Sequence, residues 1–225
     1  MNIALPELHL SLDHAAGGRA GAGALPAAAW LILATPAMRT WLETSMSVHM
    51  LVQIPLLAAI GIVAMRTLPQ RTQSALLAAA GGAIPCVLIA AFASSYWMLP
   101  RAIDAVLVDP LAETAKFVSL PLLVGAPLAL AWRQLGLIGR GFVWTNFISM
   151  LAVLGWLYIV APVRVCNSYA LFEQERAGWL MVQLAVALLA WWLGRLFVGT
   201  PATAPAPLEQ QRLQDIEQGT TTWTT

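Results

Sequence analysis

The sequence predicts an all-α fold, a polytopic transmembrane helical bundle of about six spans with kinked helices. Of its 225 residues, 59% are hydrophobic and 10% are charged, whereas soluble domains carry about 25% charged residues. Several apolar runs reach roughly 20 residues, the length that crosses about 30 Å of hydrocarbon. The main partner is therefore the lipid bilayer, and the absence of a dense basic patch argues against a nucleic-acid partner.

The first predicted unit is an N-terminal tail, residues 1–19. It lacks the basic start and continuous apolar core of a secretory signal. His9, Asp13 and His14 could hold a metal there, but a solvated tail is the favoured interpretation. Residues 20–198 form the predicted transmembrane domain. Residues 199–225 open with a Pro/Ala/Thr-rich linker and form a predicted disordered C-terminal tail.

Six apolar segments are long enough to be read as spans. They cover residues 20–38, 45–65, 74–96, 114–132, 142–161 and 177–198. The second, third and fourth of these segments contain four prolines, and we expect them to kink the helices: Pro55, Pro85, Pro121 and Pro127. Neighbouring helices and water can satisfy the carbonyl groups that such prolines leave free.

Two short loops between these spans set the predicted orientation. Residues 66–73 and 133–140 each contain two arginines and no acidic residue. Short loops of this kind remain on the cytoplasmic side. We therefore expect a multi-pass protein of a bacterial inner membrane with both termini in the cytoplasm. Most residues capable of chemistry then collect on the outer, periplasmic face.

The stretch "SMSVHMLVQIPLLAAIG" opens the second predicted span. Residues three and four apart share a helix face, so Met46, His49, Met50 and Gln53 form one stripe. Thioether and imidazole groups suit copper, especially the reduced ion. The alternative is a packing role, because methionine commonly fills cores and a lone helical histidine is often hydrogen-bonded.

An outer loop reads "LPRAIDAVLVDPLAE" and predicts a short amphipathic helix along the membrane surface. Ile103, Val106 and Leu107 would face lipid or protein. Asp104 and Asp109 could serve as metal ligands. For Asp109, which precedes a proline, the alternative is a helix boundary before the fourth span.

The stretch "CNSYALFEQERAGWLM" precedes the last span. Glu173 would favour a helix N-terminus through the helix dipole. Cys166 is a soft ligand if it is a thiolate, and otherwise a small interfacial filler. Cys86 and Cys166 are too few for a disulfide framework. No catalytic motif is present, so we do not expect an enzyme.

These three stretches together resemble the multi-spanning CtaG family of cytochrome c oxidase assembly factors. The residues that carry the resemblance occur in the expected order between Ser45 and Leu193. They are His49, Met50 and Pro55, then Leu99, Pro100, Asp104, Ala105, Pro110 and Leu111, and finally Glu173, Gln174, Ala177, Gly178 and Met181.

The resemblance implies an accessory membrane protein that assists assembly of a respiratory terminal oxidase. It also implies copper handling at the outer membrane face. His49 would be the central ligand, supported by Met46 and Met50, with Glu173 or Cys166 completing the metal site.

The chain departs from the family at the start of the fourth span. Family members have further histidines and a glutamate there, whereas this chain has Glu113, Lys116 and Phe117. An ammonium and a phenyl ring cannot replace imidazole as ligands, and Lys116 opposes a cation unless Glu113 pairs with it. The alternative function is therefore a metal-free structural or accessory subunit of a larger membrane complex. A transporter is less favoured, because the span interiors are almost free of charge.

Overall fold

The computed structural model describes residues 23–197, which form helices with no strand among them. The predicted all-α fold is thus confirmed. The tails at 1–19 and 199–225, including His9, Asp13 and His14, lie outside the described residues. The helices are α1 Gly23–Ala34, α2 Pro36–Glu43, α3 Met46–Thr67, α4 Gln70–Ala79, α5 Ala83–Trp97, α6 Pro100–Val108, α7 Pro110–Trp132, α8 Leu137–Val160 and α9 Leu171–Phe197.

Four helices, α3, α7, α8 and α9, are long and apolar enough to cross a membrane. The predicted third span is a bent pair, α4 and α5, whose axes meet at 78°, and counting it as one span gives five. Gly81 and Gly82 have φ angles of 84° and 99° at this bend. Glycine alone adopts that backbone region without steric cost. The predicted count of six is not confirmed for the part of the chain that the structure describes.

The predicted first span is divided within the described residues. Helix α1 ends at Ala34, and Pro36 occupies the first turn of α2. A residue that precedes proline is disfavoured in helical conformation, so the chain ends one helix and begins another. At about 1.5 Å per residue, α1 is shorter than the hydrocarbon core.

The predicted surface helix is present as α6, and its apolar side faces protein. Ile103 and Val106 are buried, while Leu107 is half-buried. The Asp109 carboxylate accepts a hydrogen bond from the Leu111 backbone N–H at 2.9 Å and caps α7. This geometry agrees with the helix-boundary interpretation of Asp109.

Two of the four prolines named above, Pro55 and Pro127, follow wide π-helical turns. Residues His49–Gln53 of α3 form one such turn, with the Ile54 backbone N–H bonded to the His49 carbonyl five residues earlier. Leu120–Gly125 of α7 form a second. Pro55 follows the first turn, and Pro127 follows the second. A proline ring clashes with the carbonyl four residues before it, and a wider turn relieves that clash.

The backbones of α3 and α7 touch at two glycines. A Cβ atom placed on Gly61 would overlap the carbonyl of Pro121, and one on Gly125 would overlap the carbonyl of Ala58. Small residues allow this close approach of helices in membranes. The contact fixes α3 against α7 and so determines which side chains meet further along the pair.

The connections between helices gather at two ends. The α2–α3, α6–α7 and α8–α9 connections share one end, which we call the polar end. There Asp104 accepts hydrogen bonds from the backbone N–H groups of Asn167 and Ser168 at 2.8 and 3.1 Å. At the other end Arg133 donates to the Gln70 side chain at 2.6 Å.

Candidate functional site

The polar end contains a buried cluster of five side chains around one ammonium group. We call it the ammonium cluster. Its members come from α2, from the π turn of α3, from α7 and from the loop before α9. They are Glu43, His49, Gln53, Lys116 and Tyr169.

The Lys116 ammonium lies at the centre of this cluster. Its Nζ atom is 2.8 Å from Glu43 Oε1, 3.0 Å from Gln53 Oε1 and 3.5 Å from His49 Nε2. The Lys116 side chain is 1% exposed and that of Glu43 is 13% exposed. A buried ammonium requires a counter-ion, and Glu43 supplies the negative charge.

Each group in the cluster has a donor or acceptor role that is consistent with those of its neighbours. An ammonium only donates, so His49 Nε2 accepts and His49 Nδ1 carries the proton. The Nδ1–H group then donates to the Tyr169 hydroxyl at 3.2 Å. The Tyr169 hydroxyl donates to the Glu43 backbone carbonyl at 2.9 Å. The Gln53 amide nitrogen donates to Glu43 Oε1 at 3.2 Å, which closes the network.

Tyr169 lies in the loop before α9, outside the spanning helices. Burial raises the pKa of its hydroxyl, and the nearby Glu43 carboxylate raises it further. The hydroxyl therefore stays protonated and keeps its role as donor to the Glu43 carbonyl. Its oxygen remains free to accept from His49.

A second ion pair lies beside the cluster. The Arg39 guanidinium contacts the Glu113 carboxylate. The sequence suggested Glu113 as the partner of Lys116, but in the structure Lys116 pairs with Glu43 and Glu113 pairs with Arg39. The other Glu113 oxygen, Oε1, and Arg39 Nε are buried without a hydrogen-bond partner.

Glu173 caps the start of α3. Its Oε2 atom accepts hydrogen bonds from the Ser45 hydroxyl at 3.0 Å and from the Met46 backbone N–H at 3.2 Å. A carboxylate at this position satisfies a free N–H group and complements the helix dipole. Glu173 lies in the first turn of α9, as the sequence predicted, and its carboxylate also caps α3, more than 100 residues earlier.

Cys166 lies at the polar end but outside the ammonium cluster. Its sulfur is 4.0 Å from the Pro100 carbonyl of α6, and the thiol also neighbours the buried Tyr158 hydroxyl. Burial raises the pKa of the Cys166 thiol to about 11, with a further contribution from Asp104. Cys166 is therefore a protonated thiol at neutral pH.

The other predicted metal ligands, Met46, His49 and Met50, are fully buried on α3. Both His49 ring nitrogens already have partners, and an ammonium lies 3.5 Å from Nε2. Between residues 23 and 197, no three His, Cys, Asp or Glu side chains are grouped to hold a metal. In this arrangement the Lys116 ammonium occupies the position that a copper ion bound to His49 Nε2 would take.

Two members of the cluster were not predicted from the sequence. Glu43 is the last residue of the short helix α2, and neither Glu43 nor Tyr169 belongs to a recognisable motif. A buried lysine in a span needs a carboxylate partner, which was the available signal for Glu43. The choice between Glu43 and Glu113 depends on how α2 packs, which no local pattern encodes.

Comparison of the chain with protein-family models, with curated proteins and with solved structures gives no match.

Proposed function

We propose that this chain is a multi-pass accessory membrane protein that assists assembly of a respiratory terminal oxidase as a metal-free scaffold. One observation carries the proposal. The three stretches on which the family resemblance depends are far apart in sequence, yet they meet at the polar end. Asp104 of the second stretch accepts hydrogen bonds from two backbone N–H groups of the third. The third stretch also meets the first, since Glu173 accepts from the Ser45 hydroxyl and the Tyr169 hydroxyl contacts His49.

The residues of the last signature support the same proposal because they face protein. Gln174, Ala177 and Met181 are buried. The Gln174 side chain accepts from the Val165 backbone N–H at 2.8 Å and donates to the Tyr158 carbonyl at 3.3 Å. These contacts give the signature residues a role in holding the outer loop in one conformation.

The scaffold role is favoured over copper handling because of charge. A cation at His49 would meet the Lys116 ammonium, and like charges repel strongly in a buried site. Displacing Lys116 would also leave the Glu43 carboxylate without its counter-ion. The oxidase as partner rests on the family resemblance, and the metal-free role rests on the cluster geometry.

We further propose that the polar end faces the periplasm of a bacterial inner membrane, with both termini in the cytoplasm. The acid-free loop at residues 66–73 then lies inside. With the C-terminus inside, a cytoplasmic N-terminus requires one crossing before α3. A reporter fused in this loop should read cytoplasm, and a periplasmic signal would invert the proposed orientation.

Deletion of the gene in the native host tests the function. We expect less assembled terminal oxidase in the membranes, measured by haem spectra and oxygen consumption, and recovery on expressing the wild-type chain. The proposed scaffold also predicts recovery by His49→Gln, which removes the imidazole but keeps a polar side chain. Unchanged oxidase levels after deletion would contradict the proposed partner.

A copper-binding experiment distinguishes a metal-free scaffold from a protein that handles copper. Purified protein is mixed with Cu⁺ under reducing conditions, and wild type is compared with His49→Ala. We expect equal, weak binding by both. Stoichiometric binding that disappears in His49→Ala would contradict the metal-free role and restore copper handling.

A further inference from the structure

The Lys116 ammonium lies where a bound cation would lie. Three acceptor atoms of different chemistry converge on its Nζ atom: a carboxylate oxygen of Glu43, an amide oxygen of Gln53 and an imidazole nitrogen of His49. Carboxylate oxygen and imidazole nitrogen are ordinary ligands of divalent zinc. The set resembles a cation site in which the cation is covalently attached to the chain.

The imidazole of His49 is also oriented as a metal ligand would be. Its Nδ1–H group donates to the Tyr169 hydroxyl, so the lone pair of Nε2 points toward the ammonium. Metal-bound histidines are held in the same way, with the second ring nitrogen donating to an oxygen. This orientation is set by the Tyr169 hydroxyl, whose own proton is donated to the Glu43 backbone carbonyl, and not by the side chains of Glu43 or Gln53.

We propose that Lys116 is a built-in cation that occupies a divalent-metal site formed by Glu43, Gln53 and His49. Removal of the ammonium leaves two ordinary zinc ligands, the negatively charged Glu43 carboxylate and the His49 imidazole, with the Gln53 amide oxygen beside them, and this set attracts Zn²⁺. The ligands lie 2.8 to 3.5 Å from Nζ, and zinc ligands lie about 2.0 to 2.2 Å from the metal. The side chains therefore need to close by about 1 Å, with water as the fourth ligand.

This inference rests on the contacts of the cluster and does not require the oxidase as partner. Its test is metal binding by the purified chain, which remains informative if deletion of the gene leaves oxidase levels unchanged. Conversely, a failure to bind zinc would leave the proposed oxidase partner standing.

The experiment compares wild type, Lys116→Ala and Lys116→Ala/Glu43→Gln by equilibrium dialysis against Zn²⁺ in detergent. Because His9 and His14 could bind zinc elsewhere, the measured quantity is the excess over wild type. We expect about one additional zinc ion per chain for Lys116→Ala and no excess for the double variant. Mg²⁺ should show no excess with any variant, because it prefers an octahedral oxygen site.

Stability provides a second measurement if Lys116→Ala folds poorly without metal. We then expect Zn²⁺ to restore a monodisperse protein and a chelator to remove that effect. Three results would overturn the proposal. The first two are zinc binding by Lys116→Ala equal to that of wild type, and zinc binding by the double variant equal to that of Lys116→Ala. A third would be a Lys116→Ala protein that no zinc concentration recovers while the double variant is monodisperse without metal.

Discussion

The two ends of the α3–α7 pair are held by different physical means. At the polar end, the Lys116 ammonium joins the helices through the side chains of Glu43, Gln53 and His49. Further along the pair, Gly61 and Gly125 bring the backbones into contact, with no side chain between them. The first contact depends on charge and hydrogen-bond direction, and the second depends on shape. Of these two contacts, the one at the polar end is made by polar side chains that could bind another cation in place of the ammonium. The glycine contact contains no such groups.

The largest expected effect comes from removing the ammonium. Lys116→Ala should destabilise the protein by about 3 to 5 kcal/mol, because it leaves the Glu43 carboxylate buried without a counter-ion. Thermal unfolding in metal-free detergent buffer measures the loss. Lys116→Ala/Glu43→Gln should recover part of the stability. A single variant as stable as wild type would mean that charge does not hold the polar end.

A somewhat smaller effect is expected at the glycine contact. Gly61→Ala should cost about 1 to 3 kcal/mol, because its methyl group overlaps the Pro121 carbonyl and separates the helices. Gly141→Ala on α8 is the matched control, since nothing lies within 4 Å of its added Cβ atom. The same thermal unfolding assay compares the two variants. If Gly61→Ala matches the control, the helix pair is not held by backbone contact.

Loss of the Tyr169 hydroxyl should have a more modest effect. Tyr169→Phe removes the partner of His49 Nδ1 and the donor to the Glu43 carbonyl, and we expect a loss of about 1 kcal/mol. The ion pair between Lys116 and Glu43 remains. Thermal unfolding of this variant should therefore fall between wild type and Lys116→Ala. A loss as large as that of Lys116→Ala would show that the loop, and not the ion pair, holds the polar end.

The smallest expected effect concerns Cys166, which lies at the polar end but does not belong to the ammonium cluster. In a Cys86→Ala background, the thiol should react very slowly with maleimide at pH 7. The pKa of Cys166 is raised to about 11, so the thiolate fraction and the rate should rise about tenfold per pH unit up to pH 10. A rate that levels near pH 8.5 would show an ordinary, accessible thiol.

The sequence alone was sufficient for the class of fold. Long apolar runs and their prolines predicted helices at α3, α7, α8 and α9, because membrane spans are specified by local composition. The bend at Gly81 and Gly82 was missed, since hydropathy continues across it. Two glycines change the backbone direction without changing the apolar pattern.

The site was predictable only in part. His49 was predicted as a site residue and Lys116 as the departure from the family that opposes a cation, and both belong to the cluster. Their partners Glu43 and Tyr169 lie in short connecting segments, where polar residues are ordinary. Which acid meets which base depends on the packing of α2 and of the loop before α9, and that packing is a property of the whole fold.

The tautomer of His49 tests the account most directly. The ¹⁵N spectrum of histidine-labelled protein in detergent, assigned by comparison with His49→Ala, reports which ring nitrogen carries the proton. The account predicts a neutral ring protonated at Nδ1, with Nε2 accepting from the Lys116 ammonium, and a changed Nε2 shift in Lys116→Ala. A ring protonated at Nε2, or a Nε2 shift that Lys116→Ala leaves unchanged, would contradict the ammonium cluster.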